Sequence, residues 1–154
     1  MLDRTDRRIL RLLQQDGRMT NQNLSEHIGM SPSPCLRRLR ALEERGVIRG
    51  YTAILDQKAC GLPLNVFTSI RLNRQSEDDI AEFETAIAGW DEVVECYLMT
   101  GTRDYLLRVV VEGLEAYERF LKQRMTRLKC IGSIESNFAM GTVKKTASLP
   151  LKAD

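Results

Sequence analysis

Two prolines one residue apart, Pro32 and Pro34, head a segment that is otherwise helical in pattern, "SPSPCLRRLRALEERG". Proline is accommodated in the first turn of an α-helix, where backbone N–H groups have no intrahelical partner, and it breaks a helix further in. The pair therefore puts a helix start near Pro32, with Ser31 or Ser33 as the cap and Gly46 as the stop. Leu36, Leu39 and Leu42 recur at i, i+3, i+6 and read as the buried stripe. Arg37, Arg38 and Arg40 are left to project from the other faces.

Two more helices precede this one. "LDRTDRRILRLLQQDG" places Leu2, Ile9, Leu12 and Leu13 on one stripe, with Asp3 or Thr5 as cap. "TNQNLSEHIG" starts at Thr20, turns Leu24 and Ile28 inward and stops at Gly29. Two short helices joined by a glycine-containing turn form a helix-turn-helix. The β-rich "VIRGYTAIL" that follows predicts a small hairpin, the wing of a winged helix-turn-helix. Arginine on the third helix suits DNA: it neutralises phosphate and can donate two parallel hydrogen bonds to guanine O6 and N7. An arginine-rich helix alone would equally describe a solvated surface. The preceding helix, the turn and the wing favour the DNA reading.

The charge balance agrees. Residues 1–62 hold 11 Lys/Arg against 7 Asp/Glu, whereas residues 63–154 hold 12 against 14. A basic first part joined to a slightly acidic second part suggests a nucleic-acid reader coupled to something else. Hydrophobic residues make up 43% of the 154 and charged residues 29%, the balance of a globular chain. The charged N-terminus and the lack of a long apolar run predict a cytoplasmic protein. Cys35, Cys60, Cys96 and Cys130 lie 25 or more residues apart, and His27 is the one histidine, so neither a metal site nor a histidine-based triad is expected.

"DQKACGLPLN" breaks the periodicity and marks a joint. The predicted domains are 1–56, a linker over 57–64, and 65–154. Beyond the joint, "LNVFTSIRL" alternates as a strand, and "SEDDIAEFETAIAGW" is a Ser-capped helix with Ile80, Phe83 and Ile87 inside. "EVVECYLMT" and "YLLRVVVE" are strands. "LEAYERFLKQRMTRL" is a helix burying Leu114, Tyr117, Leu121, Met125 and Leu128, and a last strand lies in "GSIESNFAMGTVKKT". The fold class is α+β: a winged helix-turn-helix followed by a ferredoxin-like βαββαβ domain. The uncovered sheet face calls for a partner, most simply a second copy. Nothing looks catalytic, so a non-enzyme is expected. By itself "TGTRDY" reads first as a hairpin turn with a solvated Asp, and alternatively as a ligand loop in which Gly101 admits a ligand to the backbone, exposed N–H groups can hold a carboxylate, and Asp104 could accept an ammonium.

Four long stretches, "LDRTDRRIL", "LSEHIGMSPSPCLRRLRALEERGVI", "CYLMTGTRDYLLRV" and "SNFAMGTVKKTASLPL", resemble in order the Lrp/AsnC, or feast/famine, transcription regulators. The resemblance implies double-stranded promoter DNA as partner, contacted by Ser31, Ser33, Pro34, Arg37 and Arg38, with the wing near Arg49; the helix pattern adds Arg40. It implies a free amino acid as effector and no other cofactor. The effector would lie between subunits, against Met99, Thr100, Gly101, Asp104, Tyr105 and Leu106 and a neighbour's Ser133, Glu135 and Ser136. It also implies homodimers that assemble into octamers or tetramers. Leu98, Met99 and Leu106 favour an apolar effector such as leucine or methionine. Thr102 and Arg103 depart from the family pattern. Cys35 is read as a packing residue, with a thiol made reactive by nearby arginines as the lesser alternative. Two rival classes stay open: an architectural DNA-binding protein without effector, and a small-molecule enzyme with a regulatory helix-turn-helix.

Overall fold

The computed structural model describes residues 1–152 and divides into two units. One is Met1–Ile54 together with the segment from Lys144 onward; the other is Leu55–Val143.

The first unit is built from α1 (Arg4–Gln15), α2 (Asn21–Ile28) and α3 (Pro32–Glu44). Asp3 caps α1, accepting from the Asp6 N–H while the Asp6 carboxylate accepts from the Asp3 N–H, a reciprocal box. Thr20 caps α2, and Gly29 closes it at φ 72°, a left-handed conformation that glycine reaches without strain. Arg8 donates to the carbonyls of His27 and Ile28, satisfying the end of α2 from α1. Ile9, Leu10, Leu24, Ile28, Cys35 and Leu42 make the core.

Three expectations change in this unit. The inner stripe of α3 is Cys35, Leu39 and Leu42, at i, i+4, i+7; Leu36 lies outside it. The wing hairpin does not form: among the described residues no strand lies between α3 and β1. Its first arm is taken by the end of α3, where Gly46 turns at φ 67° and the N–H groups of Val47 and Ile48 both donate to the Leu42 carbonyl. The remaining run has no regular secondary structure, and Tyr51, Ile54 and Leu55 are exposed on it. The predicted domain limits move as well. Gln57 and Asp56 brace a turn that belongs to the second unit, and the C-terminal segment belongs to the first. There the Gln14 amide donates to the Leu149 carbonyl and accepts from its N–H, and Leu151 packs on the helical core.

The second unit carries β1 (Leu64–Leu72), α4 (Glu77–Ala88), β2 (Val93–Leu98), β3 (Tyr105–Val111), α5 (Leu114–Gln123) and β4 (Ile131–Phe138). The strands form one antiparallel sheet in the order β2-β3-β1-β4, the ferredoxin-like arrangement. Val66, Ile70, Leu107 and Val109 pack with Phe83 and Ile87 of α4 and Tyr117 and Phe120 of α5, so both helices cover one face. The predicted long helix from Leu114 ends at Gln123, and a 3-10 turn, Met125–Arg127, follows. Leu114 is 65% exposed at the first helical position, and Phe120 takes the core place. Hydroxyls close a gap in this core: Tyr117 shares hydrogen bonds with Thr68 (2.8 Å) and Ser136 (2.6 Å).

Candidate nucleic-acid interface and effector loop

Pro32 and Pro34 occupy the first turn of α3, which leaves Ser33 as the residue there with a backbone N–H. Ser31 is the N-cap, but its side chain makes no capping hydrogen bond, so its exposed hydroxyl can meet a ligand. Further along, Ser33, Leu36, Arg37, Arg40, Ala41 and Glu44 line one shallow hollow on the outer face. Arg37 and Arg40 are exposed and, among the described residues, form no ion pair. Arg49 is exposed on the irregular run after the helix.

Arg38 differs from its neighbours. Its guanidinium meets Asp3 at 2.6 Å and Asp6 at 2.9 Å, tying α3 to the capping box that starts α1. The backbone N–H of Asp6, and next the Arg38 side chain, hold the Asp3 carboxyl below the usual range; the same pairing raises the guanidinium's pKa. A side chain expected to point at DNA is thus engaged inside the helical unit, because the carboxylates that cap α1 lie beside its turn of α3.

In the second unit, the loop between β2 and β3 is anchored at its base. The Met99 N–H donates to the Asp104 carbonyl, and the Asp104 N–H to the Ile70 carbonyl. The Asp104 carboxylate accepts from the Leu72 N–H and from the Gln75 amide, each at 2.7 Å. Arg103 reaches across to Glu135 and, at 3.0 Å, to the Ser133 hydroxyl. Between these anchors Gly101 sits at φ 113°. Among the described residues the backbone N–H groups of Thr100, Gly101, Thr102 and Arg103 have no hydrogen-bond partner.

Both units have counterparts in known proteins. Residues 65–149 match the model of the Lrp/AsnC ligand binding domain, and residues 2–49 that of a winged helix-turn-helix DNA-binding domain. The chain belongs to the Lrp/AsnC family. It is 42% identical to the leucine-responsive regulatory protein of Escherichia coli K12 over 98% of this chain and 92% of that one. A transcriptional regulator of Neisseria meningitidis, solved in complex with L-methionine, superposes with a TM-score of 0.93 at 38% identity, covering 98% of this chain and 97% of the other. An AsnC family regulator of Agrobacterium tumefaciens gives 0.92 at 42% identity, with 97% of each chain covered.

In this Lrp/AsnC regulator the candidate effector residues divide between the two sides of the sheet, because successive strand residues point to opposite faces. Leu106, Ser133 and Glu135 lie on the open face with Phe67, Tyr97 and Arg108. Tyr105 and Ser136 lie on the helix side. Tyr105 is 2% exposed, its hydroxyl donates to Glu84 at 2.8 Å, and burial raises its pKa; the Ser136 hydroxyl is held by Tyr117. These two shape the floor beneath the sheet and do not face a ligand on the open side. Met99, Thr100 and Gly101 are exposed in the loop itself. Arg103, noted in the sequence only as a departure from the family, is the residue that joins loop and β4.

Cys35 takes the packing role. Its side chain is fully buried, and burial raises its pKa, so neighbouring arginines do not activate it. No helix among the described residues is long and apolar enough to cross a membrane.

Proposed function

We propose that this regulator binds double-stranded promoter DNA through α3, and that a free amino acid held at the β2–β3 loop alters its DNA affinity or its assembly. The observation that carries the reading is the pair Arg37 and Arg40. Both stand exposed and unpaired on the outer face of the second helix of a helix-turn-helix, where a major groove accepts an α-helix. Ser31, Ser33 and Pro34 lie at the end of α3 that enters first, and Arg49 flanks the backbone. Arg38 serves this interface through the α1 clamp.

The free N–H groups of residues 100–103 are suited to the carboxylate of an amino acid, with Gly101 admitting it close to the backbone. Asp104, with both oxygens engaged, sets the loop's shape and leaves the ammonium to other acceptors. The exposed Met99, with Leu106 on the open face, favours an apolar side chain, leucine or methionine; the methionine bound to the Neisseria regulator supports the second. The open sheet face, with Phe67 and Tyr97 exposed, supports pairing of two copies into homodimers and their assembly into octamers or tetramers in the cytoplasm. Regulation, not catalysis, is the activity of this reading.

Gel-shift titration against a duplex selected from a random pool tests it, with and without each of the twenty amino acids. Binding that shifts with leucine or methionine supports both halves. Equal affinity for every sequence, unmoved by any amino acid, would favour a purely architectural protein.

A further inference from the structure

Leu36 is an apolar side chain in a charged setting. The core position that the sequence pattern assigns to it is filled by Cys35, which is fully buried, with Leu39 and Leu42 continuing that stripe. Leu36 instead stays partly exposed on the outer face of α3, in the hollow it shares with Ser33, Arg37, Arg40, Ala41 and Glu44. Nothing else among the described residues lines that hollow. Within it, Arg37 and Arg40, which form no ion pair among the described residues, supply positive charge beside Leu36, so the face is complementary to a polyanion whose groove carries apolar groups. In the major groove the thymine C5 methyl is the apolar group on offer, and apolar side chains recognise it by contact.

We propose that Leu36 is a specificity-determining residue of this regulator: it reads the methyl group of a thymine, while Arg37 and Arg40 hold the helix in the groove. The inference rests on the DNA reading of α3 given above. It assigns an approach in which the middle of the helix, and not only its proline-headed end, meets base edges. Ala41, one turn beyond Arg37, keeps that part of the hollow open, and Glu44 marks the far limit of the face by repelling phosphate.

The test uses the full-length protein and a duplex enriched by it from a randomised pool. Each thymine is replaced in turn by uracil, which removes one methyl group and leaves every hydrogen-bonding atom in place. With the wild type, replacement at one or two positions of a half-site is expected to weaken binding roughly three- to fivefold, the worth of one desolvated methyl group. In Leu36→Ala the thymine and uracil duplexes should bind equally, while melting temperature and assembly size stay those of the wild type. A wild-type ratio of one at every position overturns the proposal without any variant being needed. A ratio retained in Leu36→Ala also overturns it, as does a change of assembly size with the ratio intact, which would make Leu36 a contact between copies. Failure of the underlying DNA reading looks different: Arg37→Ala and Arg40→Ala would then leave affinity for both duplexes unchanged.

Discussion

The outer face of α3 and the rim of the sheet around the β2–β3 loop both carry charged side chains, but they hold that charge in different states. Arg37 and Arg40 form no ion pair among the described residues, whereas Arg103 is paired with Glu135, Arg108 with Glu95, and Asp104 accepts two internal hydrogen bonds. An unpaired guanidinium keeps its attraction for distant anions; a paired one has given it to its neighbour. The helix face therefore suits a long polyanion held by several salt-sensitive contacts. The rim suits a small ligand that meets a pre-set loop and its backbone donors. Charge count alone would not separate these two uses.

The largest effect that could break this contrast is on DNA affinity. Arg37→Ala combined with Arg40→Ala should lower affinity by on the order of 100-fold at physiological salt and reduce the slope of log K against log salt by about 1.8, or ~0.9 for each phosphate left unneutralised. Arg103→Ala, which removes the same charge from the rim, should leave effector-free DNA affinity within about twofold. Gel shifts at three salt concentrations measure both. Equal losses from the two regions would show that net charge, not placement, drives binding.

Asp104 tests the other side of the comparison. Asp104→Ala leaves the Leu72 N–H without its acceptor, and Leu72 is buried; an unmet buried donor costs about 1–3 kcal/mol. Thermal unfolding should fall accordingly, and the response to the effector should be lost. Effector-free DNA affinity should hold. Asp104→Asn keeps an acceptor oxygen and should recover most of the stability. If Asp104→Ala unfolded like the wild type yet lost effector binding, Asp104 would be a ligand contact and not a brace.

Where sequence patterns are local, the structure follows them closely. Thr20 and Gly29 bound α2, Ser76 caps α4 through the Asp79 N–H, and alternation in "LNVFTSIRL" gives β1 with Val66, Thr68, Ile70 and Leu72 inside. The departures arise where two patterns fit and packing chooses. Cys35 and Leu36 are adjacent, and either could start a leucine stripe; the smaller thiol fits the contact with α1 and α2, at the i, i+4, i+7 spacing. Tyr105 and Ser136 fall on the helix side because the register of β3 and β4 against β1 decides their face, and register is a long-range property. Arg38 is held by carboxylates 32 and 35 positions earlier. Among the described residues no strand follows α3 directly, for a nearer reason: Val47 and Ile48 belong to the helix end before any strand can claim them.

The Arg38 clamp lies between the two regions in character, being a paired charge on the helix proposed to read DNA. Arg38→Ala should weaken DNA binding by about three- to tenfold by loosening α3 on α1, a loss of about 1 kcal/mol for a partly exposed ion pair. The salt slope should stay within about 0.3 of the wild type, since every phosphate keeps its partner. A slope reduced by ~0.9 would instead place Arg38 on a phosphate, in line with its unclamped neighbours.

Acid should undo the clamp last and least. The Asp3 carboxyl titrates below its ordinary 3.8 because the Asp6 N–H and then Arg38 stabilise its charged form. A depressed folded-state pKa means that the unfolded chain takes up the proton first on acidification. The clamp's contribution from Asp3 is therefore fully present above about pH 4 and is lost as pH falls through the lower folded value. Asp3→Asn keeps a side-chain oxygen to cap α1 but has no proton to gain. Denaturation midpoints of wild type and Asp3→Asn should thus differ at pH 6 and converge toward pH 3, the wild type supplying all of the change. The whole difference is small because Asp3 is exposed, and added salt should shrink it further at pH 6. Arg37→Ala should show no such convergence, since among the described residues no carboxylate pairs with that side chain. A gap between wild type and Asp3→Asn that persisted at pH 3 would mean that the asparagine disturbs the cap itself, and that the Arg38 pair contributes nothing that protons can remove.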